Sequence, residues 1–187
     1  MANNCCQGTV PSCCAKPQAS LTYTEKSLFQ VESTWTTDEG RQIKLSALRG
    51  KPQVVAMFFA NCQYICPITI NDLKRIAAAV PENLRDKIGF TLVSFDSERD
   101  TPLALRKLRK ERGLEADNWT LLRGEPDDTR ELAALLGVNY RKDANGQFAH
   151  SNLITLLNAE GEIVLQQSGL NLPPDKLIEK LKNLSRK

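Results

Sequence analysis

Met57-Phe58-Phe59-Ala60-Asn61-Cys62-Gln63-Tyr64-Ile65-Cys66-Pro67 is the point where an apolar run breaks into a loop carrying two cysteines and then a proline. Upstream, Val54 to Phe59 is short, β-branched and aromatic, the pattern of a strand buried on both faces as in a parallel sheet. Downstream, Pro67 suits the first turn of a helix, where its missing N–H costs nothing, and Ile68, Leu73, Ile76, Ala77 and Val80 follow at helical spacing. The two thiols therefore sit at a strand-to-helix junction. The partial positive charge of a helix start favours thiolate, which is both the nucleophile and the metal ligand.

Three residues separate the cysteines, against the two of the commoner CxxC redox signature. With Cys66 in the first helical turn, the four-residue offset puts Cys62 about one turn away on the same side. That is close enough for a disulfide or for two bonds to one soft cation. Two thiolates alone leave such an ion under-coordinated. The sole candidate imidazole is His150, the only histidine in the chain, at the start of the strand pattern Leu153-Ile154-Thr155-Leu156-Leu157 or in the loop leading into it. On composition alone a lone histidine is more often a surface residue than a ligand.

The strand-CxxxC-Pro-helix segment resembles the Sco/SenC family, the thioredoxin-fold copper proteins of cytochrome c oxidase assembly. Three further stretches agree in order: Asp38-Glu39-Gly40 leading to Leu48-Arg49-Gly50-Lys51; Val93-Ser94-Phe95-Asp96-Ser97-Glu98-Arg99-Asp100-Thr101-Pro102; and His150 ahead of a strand and its Ala159-Glu160-Gly161-Glu162 turn. The resemblance runs from about Phe29 to Leu184. It implies that Cys62 and Cys66 are copper thiolates and His150 the imidazole ligand, with copper as Cu(I), Cu(II) or both. It also implies a copper-receiving partner such as a cytochrome oxidase subunit. The family usually has Pro and Asp after the first cysteine, where this chain has Gln63 and Tyr64, and often Asp before the histidine, where it has Ala149.

Read from its start, the chain opens with Cys5-Cys6 and Cys13-Cys14 around Gly8 and Pro11, in a stretch too polar to fold on a core of its own. Four clustered thiols suit an auxiliary Cu(I) or Zn(II) site; disulfide pairing across the gap and lipidation near a processed terminus are the alternatives. Residues 1–27 are expected to form this flexible arm and its linker, and 28–187 one thioredoxin-like domain. At 187 residues and 41% hydrophobic, the chain has room for a proper core. A net charge of +3 is too small to imply nucleic acid.

No stretch approaches the length of a membrane span, and no charged-then-apolar leader opens the chain. That fits either a chain whose export signal or anchor has been removed or a cytoplasmic protein; the resemblance favours the first, on the periplasmic or intermembrane-space side. A monomer is expected.

Trp35, Ile43 and Leu45, with Phe29 before them, alternate around Asp38-Glu39-Gly40 as an amino-terminal hairpin, with Trp35 as packing. Pro81 to Lys87 reads as loop, and Gly89 to Phe95 as a second buried strand ending at Asp96, at the sheet edge where Cys62 lies. Asp96 and Asp100 are thus candidates for the metal's surroundings or for docking. Asp100 or Thr101 is also a natural helix N-cap ahead of Pro102, and capping is the expected role of Asp100.

Leu103 to Arg112 is a helix with a basic face, suited to solvent, an acidic partner or anionic lipid; Trp119 to Leu122 is a strand; Pro126 to Gly137 is a helix and its stop. Val138 to Gln147 is a polar connection with an Asn145-Gly146 turn. Leu153 to Leu157 and Ile163 to Gln167 form an antiparallel hairpin, and Pro173 to Leu184 a last helix. Periodicity yields an α/β fold with a mostly parallel central sheet and flanking helices. The thioredoxin-like assignment comes from the resemblance.

Phosphate loops, nucleophile elbows and HExxH motifs are absent. Two functions remain, a copper chaperone and a thiol-disulfide oxidoreductase in which Cys62 attacks and Cys66 resolves, served by a thiol reductant. A peroxidase built on one cysteine is a third.

Overall fold

The computed structural model describes residues 23–62, 64–144, 146 and 148–184. The arm with Cys5, Cys6, Cys13 and Cys14 lies outside the described residues, as do Gln63 and Asn145. A 3-10 turn, Leu28–Gln30, is capped by the Ser27 hydroxyl, which accepts from Phe29 N at 3.2 Å. Phe29 is thereby buried as a plug and not extended in a strand: its ring lies so close to Gly161 that a Cβ there would meet it at 2.5 Å.

The hairpin follows as β1 (Thr34–Thr37) and β2 (Gln42–Lys44), with Trp35 fully buried and Gly40 in the left-handed turn conformation that residues with a Cβ resist. Leu45, expected in the alternation, begins a second 3-10 turn, Leu45–Leu48.

Strand β3 (Gln53–Phe58) and strand β4 (Gly89–Ser94) are buried at every residue, as their largely apolar patterns lead one to expect. Helix α1 (Ile65–Ala79) joins them; Glu82–Lys87, read as loop, is a 3-10 turn that buries Leu84. Helix α2 (Pro102–Arg112) has Thr101 as N-cap and Gly113 in the left-handed conformation as its stop, and leads to β5 (Trp119–Arg123). Helix α3 (Pro126–Leu136) ends at Gly137 in the same way.

Three features then complete the chain. A small hairpin, β6 (Tyr140–Lys142) and β7 (Phe148–His150), stands as its own two-stranded sheet. Strands β8 (Leu153–Leu157) and β9 (Ile163–Ser168) form the expected antiparallel pair. Helix α4 (Asp175–Leu184) closes the domain.

The main sheet has seven strands in the order β2-β1-β5-β4-β3-β8-β9. Its centre, β5-β4-β3, is parallel, while β1 against β5 and β8 against β3 run antiparallel, so the sheet as a whole is mixed. Parallel pairing is confined to strands joined by the crossover helices α1 and α2, which right-handed connections carry over one face. On that face Lys74 of α1 donates to the Arg112 carbonyl of α2 at 2.8 Å, and Asp72 accepts from Asn171 N, at the approach to α4, at 2.9 Å. On the other face Leu132 and Leu136 of α3 line one small apolar cavity together with Leu28, Leu45 and Val55. Among the described residues, no helix is long and apolar enough to cross a membrane.

The basic face of α2 is partly structural. Arg109 grips the buried Asp38 carboxylate at 2.6 and 3.0 Å, and Arg106 donates to the Asp38 carbonyl at 3.0 Å. Lys107 pairs with Glu111 at the surface.

Candidate metal centre

The chain leaves β3 at Phe58 and enters α1 at Ile65, two residues before the proline that marks the helix in the sequence. The loop between them carries Cys62, and Cys66 is the second helical residue. Tyr64 at the N-cap position offers no side-chain acceptor; Cys62 Sγ accepts from Cys66 N at 3.3 Å instead. A sulfur thus does the work of a capping oxygen, satisfying one of the orphan N–H groups of the first turn.

The two thiols differ. Burial pushes the Cys62 thiol up, but the N–H groups of Cys66, Tyr64 and Ile65 and the Cys66 side chain outweigh it, and its pKa falls below the ordinary 9.0. Cys66 is 2% exposed. Burial pushes its pKa far above the ordinary value, with the neighbouring Cys62 and the charge of Asp100 adding to the effect and the Phe59 backbone opposing it.

His150 is the last residue of β7, delivered to the same edge of the sheet as the cysteine loop. Its Nε2 lies 3.6 Å from Cys66 Sγ, and its Nδ1 faces the Ser151 carbonyl at 3.1 Å. A carbonyl can only accept, so Nδ1 carries the proton and Nε2 presents its lone pair to the sulfurs. Burial lowers the imidazole pKa below the ordinary 6.5, and the Ser151 contact only partly opposes this, so the ring is neutral at pH 7. The Phe95 ring lies 5.0 Å from it and the Phe59 ring 6.2 Å.

Cys62 Sγ, Cys66 Sγ and one His150 ring nitrogen lie within 4.8 Å of one another. Two sulfurs and a neutral imidazole suit a soft or borderline cation, and the proton-bearing Nδ1 held by a carbonyl is the usual outer support of a metal-binding histidine. The three candidate ligands are brought together.

The two aspartates are not. Asp96 turns inward onto Arg99. Asp100 is 2% exposed and its Oδ2 accepts from Ala60 N at 2.8 Å and from the Ser94 hydroxyl. Its reading as an N-cap is corrected: Thr101 caps α2, accepting from Ala104 N at 3.3 Å, and Asp100 faces the interior because Ala60 and Ser94 offer it buried donors there. The β6-β7 hairpin reads in the sequence only as a polar connection with a tight turn. Tyr140–Lys142 is in fact a strand paired with Phe148–His150, Tyr140 and Phe148 are the apolar signal that could have found it, and Gly146 has φ +74°.

A family model described as SCO1/SenC matches residues 22–186. The chain belongs to that family. A family relative, the SCO1 protein homolog of Bacillus subtilis, is 26% identical over 167 residues, covering 84% of this chain and 83% of the relative. A solved SCO1/SenC family lipoprotein from Bacillus anthracis is 26% identical with a TM-score of 0.73, over 88% of this chain and 99% of that one. Arabidopsis thaliana ScoI, solved with copper bound, shares the fold at a TM-score of 0.72 and 24% identity, over 82% of this chain and 96% of that one. The thioredoxin-like frame expected from the resemblance is the one these family members share.

Proposed function

We propose that this chain is a copper-binding metallochaperone that holds its cargo through Cys62, Cys66 and His150 and delivers it to a copper enzyme such as cytochrome c oxidase. The observation that carries the reading is the convergence of two sulfurs and one unprotonated ring nitrogen within 4.8 Å. Copper bound to Arabidopsis thaliana ScoI supports the choice of metal. Thiolate softness favours Cu(I), while two negative sulfurs and a neutral imidazole cancel the charge of Cu(II), so both oxidation states bind. Delivery proceeds by ligand exchange, each incoming donor of the recipient replacing one of the three. The half-buried Cys62, already poised toward thiolate, is the first to exchange, and the deeply buried Cys66 the last.

The protein works on the extracytoplasmic side of a membrane, a reading supported by the lipoprotein relative from Bacillus anthracis. Cys5, Cys6, Cys13 and Cys14 form an auxiliary Cu(I) store; deletion of residues 1–15 lowers the copper count per chain without abolishing the main site.

The unequal thiols favour a second reading, reduction of a partner's disulfide. Cys62 thiolate attacks one sulfur of that disulfide and releases the other as thiolate. Cys66, giving up its proton, then attacks Cys62, so that a Cys62–Cys66 disulfide forms and the partner leaves with both thiols reduced.

His150→Ala separates the two. Competition of the reduced protein against a Cu(I) chelator is expected to show affinity reduced by more than about a hundredfold, beyond the loss typical of an outer-shell change, while disulfide exchange with dithiothreitol persists. Unchanged copper affinity with altered exchange would favour the reductase.

A further inference from the structure

Asp96-Ser97-Glu98-Arg99-Asp100-Thr101-Pro102 contributes no candidate ligand, yet its charged side chains all have partners. Thr101 and Pro102 start α2. Asp100, Arg99 and Glu98 make the contacts that leave the segment, in two directions.

One direction is the cysteine loop. Asp100 Oδ2 accepts from Ala60 N at 2.8 Å, and the next turn of that loop closes with Cys62 N donating to the Phe59 carbonyl at 3.2 Å. The backbone that presents Cys62 is therefore tied to Asp100 two residues upstream.

The other direction is the histidine hairpin. Arg99 Nε donates to Asp96, whose side chain is 1% exposed, and the buried carboxylate holds the guanidinium in place. Its Nη2 then donates to the carbonyl of Gly146, in the turn between β6 and β7. The guanidinium carbon lies 5.8 Å from the Phe148 ring centre. That ring packs 5.1 Å from those of Phe59 and Phe95, the two that flank His150. Lys142 of β6 pairs with Glu98 at 2.6 Å on the exposed rim.

The hairpin needs such a tie. β6 and β7 pair with each other and not with the main sheet, and an isolated two-stranded ribbon is marginal on its own. His150 stands at the end of this ribbon, while both cysteines stand on the main frame. We propose that Arg99 is a positioning residue that sets the separation between the His150 imidazole and the thiol pair, with Asp100 fixing the opposite end of the same span at Ala60. The proposal rests on the reading that these three side chains form one metal site. It gives the Asp-x-Glu-Arg-Asp-Thr-Pro stretch a physical purpose that its sequence does not display.

The test uses the full chain with Arg99→Met and Arg99→Lys. Lysine keeps a charge opposite Asp96 but cannot span Asp96 and the Gly146 carbonyl together, and it carries the test should the methionine variant misfold. In the metal-free, reduced protein His150 supplies the only imidazole resonances. The wild-type ring protons are shifted by Phe59 and Phe95, and either variant is expected to move them toward free-imidazole positions while methyl signals of Val54 and Leu92 stay in place.

Cu(I) affinity is expected to fall about 10- to 100-fold, the range of an outer-shell loss. That fall is expected to disappear when His150 is already alanine. Unmoved imidazole signals, or an equal fall in both backgrounds, overturns the positioning role and leaves the copper site standing. An unaltered affinity in His150→Ala alone removes the copper site itself, and the positioning role with it.

Discussion

The two thiols of the pair are chemically unequal, and the inequality comes from a single turn of helix. Cys62 accepts an N–H from the helix start, whereas Cys66 is shut away beneath it. Iodoacetamide at pH 7 is therefore expected to modify Cys62 at least about tenfold faster than Cys66. Fragmentation of the peptide holding both sites checks this, and equal rates would contradict it.

Asp100 supplies a second residue-level expectation. Burial raises its pKa above the ordinary 3.8, although Ser94 and Ala60 pull it down. Between that raised value and 3.8 the folded state holds a proton that the unfolded state has lost, so stability from this group rises as pH falls through the window. Asp100→Asn keeps an acceptor for both donors and removes the titration. Urea unfolding from pH 7 to pH 4 is expected to show wild type gaining on the asparagine variant as pH is lowered; the opposite trend would contradict the assignment.

The cysteine pair was legible because two thiols stood at the end of a clear strand pattern, whereas the ligand role of His150 came from the family resemblance, a lone histidine being more often a surface residue. Asp100 was misread because an aspartate just ahead of Thr-Pro looks the same whether it caps a helix or accepts buried N–H groups. Only the tertiary donors, Ala60 N and the Ser94 hydroxyl, decide between them.

Among the elements, β3 and β4 were readable for a simple reason: strands covered on both faces read as near-continuous apolar runs, and their few polar residues, Gln53, Thr91 and Ser94, are buried with hydrogen-bond partners. The start of α1 was readable to within two residues, the difference arising because a cysteine sulfur, not a conventional cap, stabilises its first turn. The β6-β7 hairpin was the least visible, because three-residue strands on a half-exposed ribbon carry no usable alternation.

That ribbon is also the least secured element of the site. Native-state hydrogen exchange is expected to find the amides of β6 and β7 exchanging at least about a hundredfold faster than those of β3 and β4, because local opening of a two-stranded ribbon leaves the main core intact. Uniform protection across both sheets would contradict the view that His150 rides on a separate element.

At the scale of the whole molecule, the fold brings together residues separated by 84 positions in sequence, Cys66 and His150. Parallel crossovers through α1 and α2 leave the carboxyl ends of β3 and β4 open at one edge, and the hairpin after α3 returns a histidine to it. The expectation of a mostly parallel sheet described this centre well. It did not extend to the flanks, where β1 and β8 join by loops that impose no parallel direction.

X-ray absorption of the reduced chain lacking residues 1–15, loaded with one equivalent of Cu(I), tests the account most directly. It predicts two sulfurs and one imidazole nitrogen around the metal, with the nitrogen lost in His150→Ala. A shell of sulfur alone in the unsubstituted protein would contradict it.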